Sequence, residues 1–208
     1  MGLICVIDLP DPALEFISLL EAPDDFDPED HELQHEDGCV YFSVPFAISD
    51  DGRWQTMVDV GYREHYAQKP ATGIHPCDFY EFIYEISLVD TYGEHPVTST
   101  MDRNVAVEWL PEGSGPLVLQ IVSICYRYII FSFEPPIIYR VTNSSGQPDG
   151  ALGKYRFLTF VIENEGYAVH LNALDEDGRP FWLMVRNGFD VSEIVTEDEA
   201  HGSGSWLR

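Results

Sequence analysis

Before Arg53 the chain contains no lysine and no arginine. Across its 208 residues, 11 Lys and Arg oppose 36 Asp and Glu, leaving a formal net charge of −25. That deficit disfavours direct nucleic-acid binding and attraction to an anionic membrane, since both need cations at the contact. Cysteine is sparse too. Cys5, Cys39, Cys77 and Cys125 are widely spaced and form no CxxC pair, so a dense disulfide framework is excluded and reduced, structural thiols are expected. No basic stretch precedes an apolar run at the start, because Met1 to Leu9 leads directly into Pro10 and Asp11. The expectation is a cytoplasmic protein. The longest apolar stretch, Leu117 to Phe133, is interrupted by Gln120, Ser123, Arg127 and Ser132 and reads as too short and too polar to span a bilayer.

The specific enzyme signatures are missing as well: there is no GxxxxGK[ST], no GxGxxG after a strand, no GxSxG and no HExxH. No cofactor and no metal is implied.

What the chain does have is apolar and aromatic material, at 45% and 13%, enough to exclude a fully disordered acidic polymer. The charge is carried by a folded body. Its length fits one domain over residues 1–189, with an acidic loop near 21–37 and an acidic, then Gly/Ser-rich, tail over 190–208. Leu3 to Leu9 has strand composition, and Pro12 to Glu21 reads as a helix capped by Asp11, with Ala13, Phe16, Ile17 and Leu20 on one face. Cys39 to Ile48 and Arg53 to Val60 alternate as strands around the turn Ser49-Asp50-Asp51-Gly52.

Phe79 to Val89 fits either period, and its β-branched and aromatic content favours a strand. Asn104 to Leu110 reads as a short strand, Leu117 to Ser132 as a helix buried on most sides, and Ile137 to Thr142 as a strand. A polar loop over 143–150, a helix over Ala151 to Asn164 and a hairpin of Tyr167 to Leu174 with Phe181 to Arg186 complete the pattern. The sum is an α+β fold, a largely antiparallel sheet with helices packed on one face. Its expected core contains Phe42, Val44, Trp54, Val58, Phe82, Ile86, Leu119, Val122, Tyr126, Ile129, Phe160, Val169 and Leu171.

Several constellations could carry chemistry. Asp25, Asp27, Glu29 and Glu36 stand at positions 1, 3, 5 and 12 of a calcium loop, but Asp30 replaces the glycine and Pro28 interrupts it. His75-Pro76-Cys77-Asp78 reads as a structural turn, and His31 with His35 as solvated residues among carboxylates. Glu81 with Glu85 and Glu163 with Glu165 have no diagnostic value in so acidic a chain. Tyr126, Arg127, Tyr128, Tyr139 and Arg140 gather aromatic and cationic groups, and a deep pocket lined by Arg127, Arg140 and His170 would favour an enzyme.

The strongest functional signal is the charge asymmetry. Fourteen acids precede Arg53, and nine of them fall between Glu21 and Asp37. Asp24, Asp25, Asp27, Glu29, Asp30, Glu32, Glu36 and Asp37 are the candidate partner-binding residues, on a segment with little apolar anchoring. The expected function is an acidic binding protein that presents carboxylates to a basic protein, such as a nucleic-acid-binding enzyme or complex, in the manner of an inhibitor, immunity protein, anti-defence protein or nucleic-acid mimic. An enzyme with a central Tyr/Arg site, an acidic subunit of a larger assembly, and acidity serving only solubility or salt tolerance are the alternatives.

Overall fold

Alternating side chains make Cys39–Ser49 a strand in which Val40, Phe42, Val44 and Phe46 are buried and the residues between them half-buried. The computed structural model describes residues 10, 14–36, 38–66, 78–92, 95–100, 103–142, 152–175 and 178–190. Within these, the strands are β1 (Phe16–Ser18), β2 (Gln34–Glu36), β3 (Cys39–Ser49), β4 (Trp54–Tyr66), β5 (Asp78–Asp90), β6 (His95–Thr100), β7 (Ile137–Val141), β8 (Tyr167–Leu174) and β9 (Pro180–Arg186). The helices are α1 (Arg103–Ala106), α2 (Gly115–Phe133) and α3 (Gly153–Asn164). Strand order is β1-β3-β4-β5-β7-β9-β8, with β2 also on β3 and β6 also on β5. The sheet is mixed and mostly antiparallel. Its parallel pair is β5 with β7, through Tyr80↔Ile138 and Glu81↔Tyr139. The fold is α+β, as the sequence pattern indicates.

By its internal contacts the chain divides into two compact units, Met1–Leu33 with Phe42–Val60 and Tyr84–Val122, and Gln34–Tyr41 with Gly61–Ile83 and Ser123–Arg208. Strands β3, β4 and β5 and helix α2 each have residues in both units. The first unit buries Phe42, Val44, Phe46, Trp54, Val58, Leu88, Ile121 and Val122. In the second, Tyr62 of β4 meets Tyr80 at 5.0 Å and Phe133 at 5.3 Å, and Phe82 meets Tyr126 at 4.9 Å, so an aromatic cluster joins β4, β5 and the end of α2. Helices α2 and α3 share one face of this part of the sheet. The Arg140 guanidinium of β7 lies 5.8 Å from both the Tyr126 and the Tyr155 rings, and Tyr155 stacks on Trp182 of β9. On the other face Ile137, Tyr139, Phe181 and Leu183 form a separate buried cluster.

Four expectations need correction. Phe16–Ser18 is a strand, not part of a helix over Pro12 to Glu21: Phe16 pairs with Ser49, Ile17 with Ile48 and Ser18 with Ala47. The helical spacing is real, but pairing gives the edge of β3 its backbone hydrogen bonds, which a helix at that place would leave unmade. Residues 104–110 form α1 and a turn instead of a strand. Ala106 and Trp109 are buried while Val105 and Val107 are exposed, a period of three, and the buried Thr56 hydroxyl donates to the Trp109 carbonyl at 2.6 Å.

Helix α2 begins at Gly115, two residues early, and at 19 residues is long and apolar enough by length and composition to cross a membrane. Ile121, Val122, Cys125, Tyr126 and Ile129 are instead packed inside the protein, and Gln120, Arg127, Phe131 and Ser132 leave one side open. Finally, Phe160 is 60% exposed, and Leu119, Val169 and Leu171 are half-buried. The strand expected over Leu3 to Leu9, the loop over 143–150, the turn around His75 to Cys77, and the tail beyond Asp190 lie outside the described residues.

Candidate functional site

The acidic segment is built from two short 3-10 turns, Pro23–Asp25 and Pro28–Asp30, five residues apart and each opened by proline. Proline at the first helical position costs no hydrogen bond and presets φ, so each turn starts readily. Phe26 N–H donates to the Pro23 carbonyl at 3.2 Å and His31 N–H to the Pro28 carbonyl at 3.3 Å. The residues that close the turns then meet, with ring centroids of Phe26 and His31 4.9 Å apart. Phe26 is only 4% exposed and His31 half-buried, which corrects both the expectation of weak apolar anchoring and that of a solvated His31. His35 is exposed on β2, its backbone opposite Val40.

Two of the carboxylates brace this scaffold. Asp25 Oδ2 accepts from the backbone N–H groups of Ala22 at 2.8 Å and Glu21 at 2.9 Å, and Asp27 Oδ1 accepts from Glu29 N–H at 2.9 Å. This use of Asp25 and Asp27, with Pro28 heading the second turn directly after Asp27, departs from the calcium-loop arrangement. Asp24, Asp25, Asp27, Glu29, Asp30 and Glu32 are all exposed, as are Glu15, Glu21, Asp50 and Asp51. The side chain of Glu36 and the whole of Asp37 lie outside the described residues. The first cation of the chain does not offset this field freely, because Arg53 pairs with Asp90 at 3.2 Å and covers the Trp54 ring at 4.6 Å. The turn pair was legible in principle: Ala22-Pro23-Asp24-Asp25-Phe26 is followed by Asp27-Pro28-Glu29-Asp30-His31, the same proline, acid, acid, aromatic order.

The Tyr/Arg region does not assemble as imagined. Arg140 is buried, its Nη1 donating to the Tyr155 carbonyl at 3.0 Å and to Thr159 Oγ1 at 3.2 Å. Arg127 is on the surface, bonded to Glu165 at 2.7 Å, and His170 is exposed on β8. Burial pushes the thiol of Cys125 up, and a thiol kept neutral is no nucleophile. Tyr139 is likewise raised by burial, with Asp175 and Glu81 adding to it, and Tyr167 is pushed up to about 12 by burial first, while its hydroxyl bonds the Pro135 carbonyl. Cys39 and Cys125 both carry free thiols, while Cys5 and Cys77 lie outside the described residues.

One carboxyl was missed by sequence reading. Asp59 of β4 sits between Ser43 of β3 and Ser87 of β5, bonded to the Ser87 hydroxyl by Oδ2, while Oδ1 is buried with no partner among the described residues. Burial raises its pKa, against the smaller opposing pull of the Ser43 and Ser87 hydroxyls. A raised folded-state pKa means that the stabilising effect of the proton is full below the unfolded value and is lost as pH rises through the folded one. Asp59→Asn should therefore raise stability at neutral pH by about 1 kcal/mol and remove part of the decline expected in the parent on going up from about pH 4. Urea titrations across that range check it; a variant weaker than the parent at pH 7 would show that the ionised carboxylate is favoured in place.

No protein-family model matches this chain. No curated protein matches it either.

Proposed function

We propose that the protein is an acidic binding module that offers the outer face of the two proline-led turns to the basic surface of a protein partner, with nucleic-acid-binding proteins as the partner class. The observation that carries the reading is the common exposure of Asp24, Asp25, Asp27, Glu29, Asp30 and Glu32 on a short scaffold anchored by Phe26. Individual exposed pairs contribute only about 0–1 kcal/mol, so recognition rests on the summed field and on steering. Holding the carboxylates in braced turns reduces the ordering cost that a loose acidic tail would bear on binding. Spaced carboxylates can then occupy a groove shaped for phosphates, which is the sense in which the module mimics nucleic acid. A reducing, cytoplasmic setting accords with the free thiols of Cys39 and Cys125.

The test replaces Asp24, Asp25, Asp27 and Asp30 by Asn and Glu29 by Gln. Asn keeps a capping oxygen at Asp25 and Asp27, so unfolding free energy should stay within about 0.5 kcal/mol of the parent. Partners captured from lysate at low salt and released at high salt are then measured one by one against parent and variant. Association should slow about tenfold at low salt, and its salt dependence should flatten. Equal rates and equal salt slopes for both proteins would leave solubility as the account of this segment.

A further inference from the structure

Helix α3 presents two faces of opposite character. Its inner face is fully used: Tyr155, Leu158, Thr159 and Ile162 are buried, and Tyr155 stacks on Trp182. Along the outer face run Arg156, Phe160 and Glu163, at spacings of four and three, with Phe157 beside them; all four are exposed, the two phenylalanines by 41% and 60%. Two solvated phenylalanines on a helix of 12 residues leave apolar surface that folding has not removed from water. The charges flanking them are also out of order for an isolated helix. A base stands towards the N-terminus and an acid towards the C-terminus, with no acid in the first turn and no base in the last, against the helix dipole. Among the described residues neither Arg156 nor Glu163 has an ion-pair partner.

That order is self-complementary. Turned end over end, base-ring-ring-acid faces acid-ring-ring-base, and a twofold axis near Phe160 brings both ends into register. We infer that this face is where a second copy of the same chain docks, α3 against α3 in antiparallel fashion, with Phe160 packed near the axis, Phe157 beside it, and Arg156 of each copy opposite Glu163 of the other. The two charges are seven residues apart, roughly 10 Å along the axis, which spans the contact of two helices packed at about 8–10 Å. Each end of the pair then places an acid beside the partner's base and offsets the dipole mismatch.

Phe157 and Phe160 are already partly covered, at 41% and 60% exposure, so each of the four rings has only roughly half of its 150–250 Å² left to bury. The contact falls well below a standard interface, and the dimer is weak and exchanging, with Kd on the order of hundreds of micromolar. Its salt response has a definite sign. Two bodies of charge −25 repel over distances that salt screens, whereas the docked rings and the close ion pairs are screened less. Added salt therefore strengthens the dimer, the reverse of its effect on the acidic turns, so failure of either reading is distinguishable from failure of the other.

Sedimentation velocity on the full chain at about 10–300 μM, in low and in high NaCl, should show a dimer fraction that grows with both concentration and salt. Phe160→Asp should remove it. Arg156→Glu and Glu163→Arg, each placing like charges opposite one another, should each weaken association by about tenfold, and the double exchange should restore it to within about threefold. Far-UV circular dichroism of each variant verifies the fold. A monomer under all conditions, a dimer indifferent to Phe160→Asp, or a double exchange as weak as the single changes would overturn the inference; the first would mean that the face is covered otherwise or remains bare.

Discussion

Gly61→Ala is expected to cost about 3–5 kcal/mol, and Gly61→Val to leave the protein unable to fold, because there is no space beside this residue for a side chain. A β-carbon built there would lie 2.1 Å from the Val40 carbonyl oxygen, 2.5 Å from Tyr41 Cβ and 2.6 Å from Tyr41 Cα. These are main-chain or β-carbon positions of β3, so no rotamer change can relieve the clash; the strand itself must move. Moving β3 at Val40 and Tyr41 also moves the residues that pair with His35 and Gln34 of β2. Set against a total stability of about 5–15 kcal/mol for a typical domain, the alanine variant should unfold at much lower urea. Gly52→Ala is the control. Gly52 has φ 73° but nothing within 4 Å of its would-be β-carbon, so that change should cost only about 1 kcal/mol of backbone strain. Equal midpoints for the two alanine variants would mean that the strands do not approach each other so closely at Gly61.

Most of the regular structure was legible because its periods are unambiguous. Cys39–Ser49 alternates cleanly, Tyr167–Leu174 starts and stops where Gly166 and the acidic turn punctuate it, and α2 carries too many apolar residues for any loop. The failures have one cause each. Phe16 to Ser18 follows the neighbour it pairs with, not its own spacing, which is tertiary context overriding local pattern. Val105 and Val107 suggest an alternating strand, but the residues that point inward are Ala106 and Trp109. Val97, Thr98 and Thr100 suit a strand, but Pro96 and the short length of His95–Thr100 hide it, and pairing with Ile86 to Asp90 decides β6.

For the candidate site, exposure of the carboxylates followed from charge density, whereas their scaffold did not. Counting apolar residues between Glu21 and Asp37 undervalued Phe26, since one ring placed at the end of a proline-led turn anchors more than its share. Asp59 was hidden for the opposite reason. In Met57-Val58-Asp59-Val60 it occupies the polar phase of an alternating strand and reads as solvated, and only the lateral arrangement of β3, β4 and β5 puts Ser43 and Ser87 around it. Phe160 shows the converse: an apolar residue in an amphipathic helix was assigned to the core although its phase, shared with Arg156 and Glu163, points outward.

Arg140→Ala should destabilise the protein by about 3–5 kcal/mol, while Arg140→Met should stay within about 1 kcal/mol of the parent. Arg140 is 2% exposed, and its guanidinium lies over two tyrosine rings and is held by the Tyr155 carbonyl and the Thr159 hydroxyl. No carboxylate pairs with it among the described residues, and Nε has no hydrogen-bond partner there. The charge therefore carries a desolvation cost that its contacts offset only in part, and its long stem contributes by filling volume. Methionine keeps much of that volume and is polarisable against aromatic rings. It also leaves no acceptor stranded, because the Thr159 hydroxyl already donates to the Tyr155 carbonyl at 2.8 Å. Alanine leaves a hole between Tyr126, Tyr155 and β7. Urea unfolding of the two variants separates the contributions: if methionine costs as much as alanine, the hydrogen bonds and cation-π contacts of the guanidinium hold this core together, and a buried charge here is an asset to the fold.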